Sequence, residues 1–356
     1  MTEIAVYGAS GFTGRLVVAE LARRGVRVVL VGRDEGRLRR VAVAGTAAGT
    51  DADVRVAGVE EPAVLVAAFD GCAAVVNCVA PFESFGEPVV RAAVTAGCHY
   101  VDTTGEQPYL KRVFDTFGEA AEGAGVTVVP ALADDGGPGD LIAHLTAAAL
   151  GRDAPVESLT IADLRLPGGV SRGTARTALA NRRLWGRDGG LHWVDGAWHR
   201  GTVARCETVP VPEVGAEGER GELKVAPFAL PGIVTVPRHV PARRVEAVMR
   251  AEVAPLFTAL SEELVEALPD GPGPAERAAA RWLMAAYADG ADGRRARGAV
   301  TGTDGYGLTA VIAVEGALRL VAGGSAPGVL APSQAFDPAD FLAGLEPHGV
   351  RWSVRA

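Results

Sequence analysis

Residues 3–14 read Glu3-Ile-Ala-Val-Tyr7 followed by Gly8-Ala-Ser-Gly-Phe-Thr-Gly14. The first five form a short apolar run, the pattern of a strand in a parallel sheet. The next seven place glycine at every third position, and Thr13 to Arg24 then repeats apolar residues at helical spacing. A strand, a glycine-rich turn and a helix in direct succession predict the opening of a dinucleotide-binding β-α-β unit. Gly8 permits the tight turn out of the strand. Gly11 lets backbone N–H groups approach a pyrophosphate, and Gly14 lets the helix pack closely on the sheet. The helix N-terminus supplies a partial positive charge and free N–H donors. The expected cradle is therefore Gly8, Ser10, Gly11, Phe12, Thr13 and Gly14.

Outward from this stretch the rhythm continues. Short apolar runs near 26–31, 54–59, 73–79, 99–102 and 126–132 alternate with amphipathic segments. This alternation predicts an α/β fold, a doubly wound parallel Rossmann sheet. After about residue 140 strand-like runs outnumber helical ones, which predicts a second α+β domain. The expected boundaries are 1–140 for the dinucleotide domain, 141–325 for a substrate or dimerisation domain, and 326–356 for a return to the first sheet. Within the second part we expect helices at 174–185, 256–268, 274–288 and 308–322. We also expect a hairpin turning at Asp195-Gly196 and an extended stretch at 202–211. At 356 residues the chain is long enough for about two domains.

Composition narrows the function classes. Hydrophobic residues make up 48% and charged residues 22%, so the chain is expected to build a packed core. The formal net charge of −8 speaks against a nucleic-acid partner, which needs a basic stripe. Lys111 and Lys224 are the only lysines among 35 basic residues, so lysine chemistry has two candidates. Four cysteines without a CxxC pair, and six scattered histidines, give no metal motif. His192 and His199 flank the predicted hairpin and are expected to face each other. No run reaches the length of a membrane span, and the strand starting at residue 3 leaves no room for a leader. The expectation is a cytoplasmic protein without a membrane partner.

The end of the second strand selects the coenzyme. An NAD site places Asp or Glu there for the ribose 2′-hydroxyl. This chain has Gly32-Arg33-Asp34, and Arg33 can pair with a 2′-phosphate as a planar, permanently charged fork. NADP(H) is therefore expected, with Arg37 one turn further as a helper and Asp34 free to cap the next helix. Asn77, Cys78, Ala80 and Pro81 follow the fourth strand, where ligands of such sheets lie, and are expected to line the far side of the coenzyme. Carboxylates at the next strand exits are Asp102, Glu106, Asp134 and Asp135. Paired carboxylates can hold one proton near neutrality, and Glu106 and Asp135 are the expected catalytic pair. Asp140 is expected to cap a helix. No Tyr-x-x-x-Lys, Gly-x-Ser-x-Gly or His-Glu-x-x-His motif is present.

With these residues assembled, the chain resembles the saccharopine dehydrogenase-like oxidoreductases, in particular the bacterial branch that includes trans-acting enoyl reductases. The likeness rests on Gly8–Gly14, Val31-Gly-Arg33, Asn77–Pro81, Gly86-Glu-Pro88, His99-Tyr-Val-Asp-Thr-Thr-Gly-Glu106 and Gly305-Tyr-Gly-Leu-Thr-Ala310. It is dense to about residue 141. The resemblance implies an NADP-binding Rossmann domain, a second domain inserted before a C-terminal return, frequent homodimers and hydride transfer to C–N or C=C bonds. Where those relatives read Gly-Phe-Asp-Ser-x-Pro-Ser-Asp-Leu, this chain keeps Pro138, Asp140 and Leu141 but lacks the serines, which points to a changed substrate. The expected function is an NADPH-dependent reductase of an imine, iminium or conjugated C=C bond in a small molecule of specialised metabolism. The alternative is a non-catalytic NADP-binding redox sensor. The expected site lies where the exits of strands five and six meet the second domain, under a lid from the helix at 308 and the hairpin with Trp193 and Trp198.

Overall fold

The computed structural model describes residues 2–46, 52–151, 153, 155–185, 189–201 and 206–356. The chain divides into two compact units. The first comprises 1–104, 108–133 and 306–330. Its strands are β1 (Glu3–Tyr7), β2 (Arg27–Gly32), β3 (Ala52–Val56), β4 (Ala74–Asn77), β5 (His99–Asp102), β6 (Thr127–Val129) and, numbered in chain order, β15 (Gly328–Val329). Its helices are α1 (Phe12–Arg23), α2 (Glu35–Thr46), α3 (Pro62–Phe69), α4 (Phe82–Thr95) and α5 (Gln107–Ala124), joined by the late helix Gly305–Ala322.

The strands form one sheet in the order β15-β6-β5-β4-β1-β2-β3, all pairs parallel. Both faces are buried, because neighbouring strand residues point to opposite sides. Ile4, Leu30, Val76 and Val101 are fully buried. On the opposite face Ala5, Val29, Val31, Val75, Tyr100 and Val128 share a core with Phe69, Val89 and Phe117. This is why the strands read as unbroken apolar runs. The strand order reverses beside β1, between β4 and β2, and the crevice at that switch point is where such sheets bind ligands.

The division of the chain differs from the expected 1–140, 141–325 and 326–356. The apolar helix Gly305–Ala322 belongs, from Tyr306 onward, to the first unit rather than the second. Arg24 of α1 pairs with its Glu315, and β15 then extends the first sheet beside β6. More than half of this helix is buried in the fold, so it is a core element and not a lid. The return to the first sheet thus ends at Leu330, and Ala331–Ala356 goes to the second unit.

The second unit comprises 105–107, 134–305 and 331–356. Its elements are α6 (Gly137–Ala149), β7 (Val156–Asp163), α7 (Arg172–Trp185), β8 (Leu191–Val194), β9 (Ala197–Arg200), β10 (Thr208–Pro210), β11 (Glu222–Pro227), β12 (Ala242–Arg250), β13 (Arg281–Gly290), β14 (Arg295–Thr303) and β16 (Arg351–Arg355), with several short helices. The main strand order is β10-β11-β12-β7-β13-β14-β16, and β8 pairs with β12 and β9. Among the described residues only β7 and β12 run parallel within this sheet.

Two expectations fail here. The predicted helix at 274–288 is a short helix, Pro274–Ala279, followed by β13. The Ala, Leu and Met residues of 283–286 favour a helix alone, but β13 is paired along its length by β7 on one side and β14 on the other. The predicted helix at 256–268 is broken into Ala254–Thr258 and Glu262–Ala267, the second capped by Ser261. The Asp195-Gly196 hairpin forms as expected, with φ of 49° and 86° at its two turn residues. His192 and His199 are cross-strand partners with stacked rings 5.7 Å apart. Of the predicted stretch 202–211, residues 202–205 lie outside the described residues.

The contact of α6 with the second sheet depends on Gly298. A Cβ there would stand 2.1 Å from Thr146 Oγ1 and 3.0 Å from Ile142 Cγ1. Gly298→Val should therefore cost about 1–3 kcal/mol through overpacking, measured by urea unfolding. Gly118→Ala, where a Cβ meets nothing within 4 Å, should instead stabilise α5 by up to about 1 kcal/mol.

Candidate functional site

The glycine loop of the first unit has the predicted shape. Gly8 adopts φ +80°, and its carbonyl accepts from Gly11 N at 2.9 Å, closing the turn. At Gly14 a Cβ would lie 2.2 Å from Gly8 O and 2.9 Å from Ala9 Cα, so only glycine lets α1 come this close to the turn. At Gly8 a Cβ would lie 2.6 Å from Val79 Cγ2, which brings the β4 exit against the loop. Helix α1 starts at Phe12 with Gly11 as its cap and no side-chain cap bond. Gly8 and Ser10 to Thr13 are half-buried, open toward solvent. The Phe12 ring packs edge-on against Tyr306 at 5.2 Å, so its side chain braces the loop.

Three arginines gather at this loop. Arg15 donates to Ser10 O at 2.8 Å, and the Arg37 guanidinium reaches the same oxygen at 3.5 Å. Arg33 is exposed at the exit of β2, within electrostatic reach of Tyr7 at the end of β1. Asp34 caps α2 through Arg37 N at 2.8 Å, so Asp34 and Arg33 take separate tasks. A turn with glycine at positions 8, 11 and 14, a bare helix N-terminus and arginines at the β2 exit fit a dinucleotide with a 2′-phosphate. Gly8 to Gly14 would hold its pyrophosphate, and Arg33 with Arg37 its extra phosphate.

Asn77 does not present its side chain to this crevice. It is fully buried, donates to the Tyr100 hydroxyl at 3.0 Å and accepts from Val79 N at 3.0 Å. Its amide is already spent on shaping the β4 exit, which continues in the half-buried Cys78, Ala80 and Pro81. Burial pushes the Cys78 thiol up to about 12, so it stays neutral. Asp102 is likewise internal. It accepts from the hydroxyls of Tyr100 at 3.0 Å and Tyr109 at 2.8 Å, and from the backbone of Thr104 and Ala131. Burial raises its carboxyl, the four donors pull it back, and it settles at about 6.

The second unit holds the other expected pair. Glu106 is buried and accepts from the Thr177 hydroxyl at 3.3 Å. Its neighbour Gly105 lies against Asp135, since a Cβ there would be 2.6 Å from Asp135 Oδ2. Asp135 belongs to a charge cluster that sequence reading only half found. Arg165 donates to Asp163 Oδ2 at 2.7 Å, and its Nη1 lies 3.2 Å from Asp134 Oδ2. Burial first, then the charge of Asp134, push the Asp135 carboxyl up. Arg165 opposes this, Asp163 adds to it, and the result is about 7. Three carboxylates share one guanidinium, so one of them holds a proton near neutrality. The available signal was the Asp163-x-Arg165 spacing at the end of β7, which puts both side chains on one face.

Asp140 does not cap α6, whose cap position is Gly136 with no side-chain cap bond. It sits in the first turn of α6, fully buried, with Oδ2 2.9 Å from His239 Nε2 and Oδ1 accepting from Ser333 N at 2.8 Å. Burial alone would raise its carboxyl, but His239 and these donors hold it below the usual range. His144 Nδ1 extends the chain to His239 Nδ1 at 3.0 Å. Trp193 and Trp198 anchor the hairpin by donating to Ala242 O and Ile233 O, each at 3.0 Å. Their indoles are fastened to backbone, unlike those of a lid.

Because the folded state holds the Asp135 proton more tightly than an unfolded carboxyl does, folding takes up a proton. Stability should fall as pH rises from about 4 through about 7. Asp135→Asn removes that cost. Its stability at pH 8 should exceed that of the unsubstituted protein by on the order of 4 kcal/mol, with a correspondingly higher Tm, and the gain should vanish near pH 4. A gain independent of pH in thermal melts would contradict this assignment.

The profile of the family "Saccharopine dehydrogenase NADP binding domain" matches residues 4–129. A trans-acting enoyl reductase of Mycobacterium ulcerans (strain Agy99) is 34% identical over 144 residues, 40% of this chain and 34% of that protein. One from Mycobacterium tuberculosis (strain ATCC 25618 / H37Rv) is 33% identical over 141 residues, 39% of this chain and 34% of that protein. The match thus spans about a third of the length of these curated relatives. Apo saccharopine dehydrogenase (L-Glu forming) from Saccharomyces cerevisiae superposes over 100% of both chains with a TM-score of 0.64 at 15% identity, a likeness of fold. Residues 4–129, about a third of the chain, are thus similar to the saccharopine dehydrogenase NADP-binding domain, and that likeness points to NADP(H) as the coenzyme of the first unit.

Proposed function

We propose that the chain is an NADPH-dependent oxidoreductase that reduces a C=N or conjugated C=C bond of a small molecule in specialised metabolism. Bound NADPH supplies a hydride. Gly8 to Gly14 and Arg33 hold and orient the coenzyme, and Asp135 supplies the proton that balances the transfer. On an imine that proton goes to nitrogen before the hydride reaches carbon. On a conjugated C=C bond it goes to the carbon next to the activating group.

The observation that carries the reading is the Asp134, Asp135, Asp163 and Arg165 cluster, where three carboxylates face one guanidinium. Its negative excess stabilises the iminium cation that forms when a neutral imine takes that proton, and this supports an imine over an enone. Glu106, buried on the β5 exit beside Gly105, which lies against Asp135, adds a further carboxyl. The names of the trans-acting enoyl reductases support the C=C alternative. We extend the reading to a cytoplasmic homodimer without nucleic-acid or membrane partners, which the formal charge of −8 supports for the nucleic acid.

Calorimetry should show tighter binding of NADPH than of NADH. Arg33→Ala should weaken NADPH by about tenfold and leave NADH unchanged, as expected for a lost charge-assisted pair. Turnover of a panel of cyclic imines and enones, followed by NADPH fluorescence, should favour the imines. Asp135→Asn should lower kcat by about 10²-fold at unchanged NADPH affinity, the usual effect of losing a general acid. Glu106→Gln tests the second carboxyl in the same assay. NADPH that binds but is never consumed across the panel would favour the redox-sensor alternative.

A further inference from the structure

We propose that Asp102 is a positioning residue for the coenzyme, holding the exits of β4, β5 and β6 in the one arrangement that NADP(H) fits. The proposal rests on the reading that the first unit binds NADP(H), and every group it invokes lies in that unit.

One buried carboxylate collects donors from β5, from the exits of β5 and β6 and from a helix, and it reaches the β4 exit through one of them. From β5 and its exit come the Tyr100 hydroxyl and Thr104 N, from the β6 exit Ala131 N, and from α5 the Tyr109 hydroxyl. Asn77 at the β4 exit joins through the Tyr100 hydroxyl. Asp102 is fully buried, as are Asn77, Tyr100, Thr104 and Tyr109. The side chain of Asp102 therefore faces inward beneath the carboxyl ends of the strands, and it touches no coenzyme itself.

The backbone at the β6 exit shows why a tether is required. Ala131 adopts φ +62°, a left-handed conformation that its Cβ disfavours. Such a residue persists only where its surroundings over-determine it, and these positions gather at functional sites. Asp102 takes both successive N–H groups there. Its Oδ1 accepts from Ala131 N at 2.9 Å, and its own carbonyl accepts from Leu132 N at 2.7 Å. The carboxylate thus holds the β6 exit in a turn that an alanine would otherwise leave. The helix side is shaped for the same cluster, since a Cβ on Gly86 of α4 would stand 2.3 Å from the Tyr109 ring.

Glycine enters the left-handed region freely, so Ala131→Gly should remove the need for the tether. Asp102→Ala should weaken NADPH binding by about tenfold, read by coenzyme fluorescence, as lost buried hydrogen bonds imply. Amide exchange at Ala131 and Leu132 should accelerate in the same variant without coenzyme present. The double variant with Ala131→Gly should return the NADPH dissociation constant to within about threefold of the parent, a rescue that a purely structural role of Asp102 would not produce. If Asp102→Ala does not fold, Asp102→Asn carries the test. Its amide offers a weaker acceptor on one side only, so affinity and exchange should shift together by a smaller factor. A folded variant with parental NADPH affinity, or a double variant without rescue, overturns the positioning role. Absence of NADPH binding by the parent protein would instead overturn the coenzyme reading itself.

Discussion

A side chain at position 14 would place its first carbon 2.2 Å from the carbonyl oxygen of Gly8. That one close approach governs the first unit. It brings the start of α1 onto the turn that leaves β1, where the cap residue Gly11 has no side chain to bond the helix N–H groups. The turn in turn sits under Val79, so the β4 exit is held beside it. Position 14 therefore connects the packing of helix on sheet to the presentation of backbone donors to an anion. A protein that gave up the contact would lose both at once.

Buried carboxylates are resolved in three different ways. Asp140 faces His239 and accepts a backbone N–H, so its ionised form is favoured despite burial. Asp102 meets only neutral donors, and these recover part of what burial costs. Asp135 lies among like charges with one shared guanidinium, and it holds its proton to about neutral pH. Depth is similar in the first two, so the partners set the direction. The partners of Asp135 suit chemistry with a proton, those of Asp102 suit a fixed scaffold, and Asp140 fastens Ser333 and His239 to α6.

Much of the first unit was legible because its signals are local. Gly8, Gly11 and Gly14 are spaced by the geometry of a turn and one helical start. Arg33 stands at a strand end whose position follows from counting. Less was legible where neighbours in space decide. Residues 283–286 have a helix-forming composition, yet they are strand because β7 and β14 offer hydrogen-bonding partners on both sides. Asn77 was legible as a residue of the crevice rim, but its amide turns inward to Tyr100, a partner 23 residues away. The Asp134–Arg165 contact spans the start of α6 and the end of β7, and no spacing rule links those positions.

The amino-acid sequence by itself determined the parallel sheet, the glycine turn, the arginine at the β2 exit and the Asp195-Gly196 hairpin. Each follows from periodicity or from a backbone requirement within a dozen or so residues. Only the tertiary structure decided where the late segments go. The helix at 305–322 joins the first unit through Arg24 and Glu315, while Arg351–Arg355 pairs with β14 in the second sheet. It also decided which carboxylates carry a proton. Those outcomes depend on which surfaces and charges remain unmatched after the local elements form, and that is a property of the assembled fold, not of any one stretch of chain.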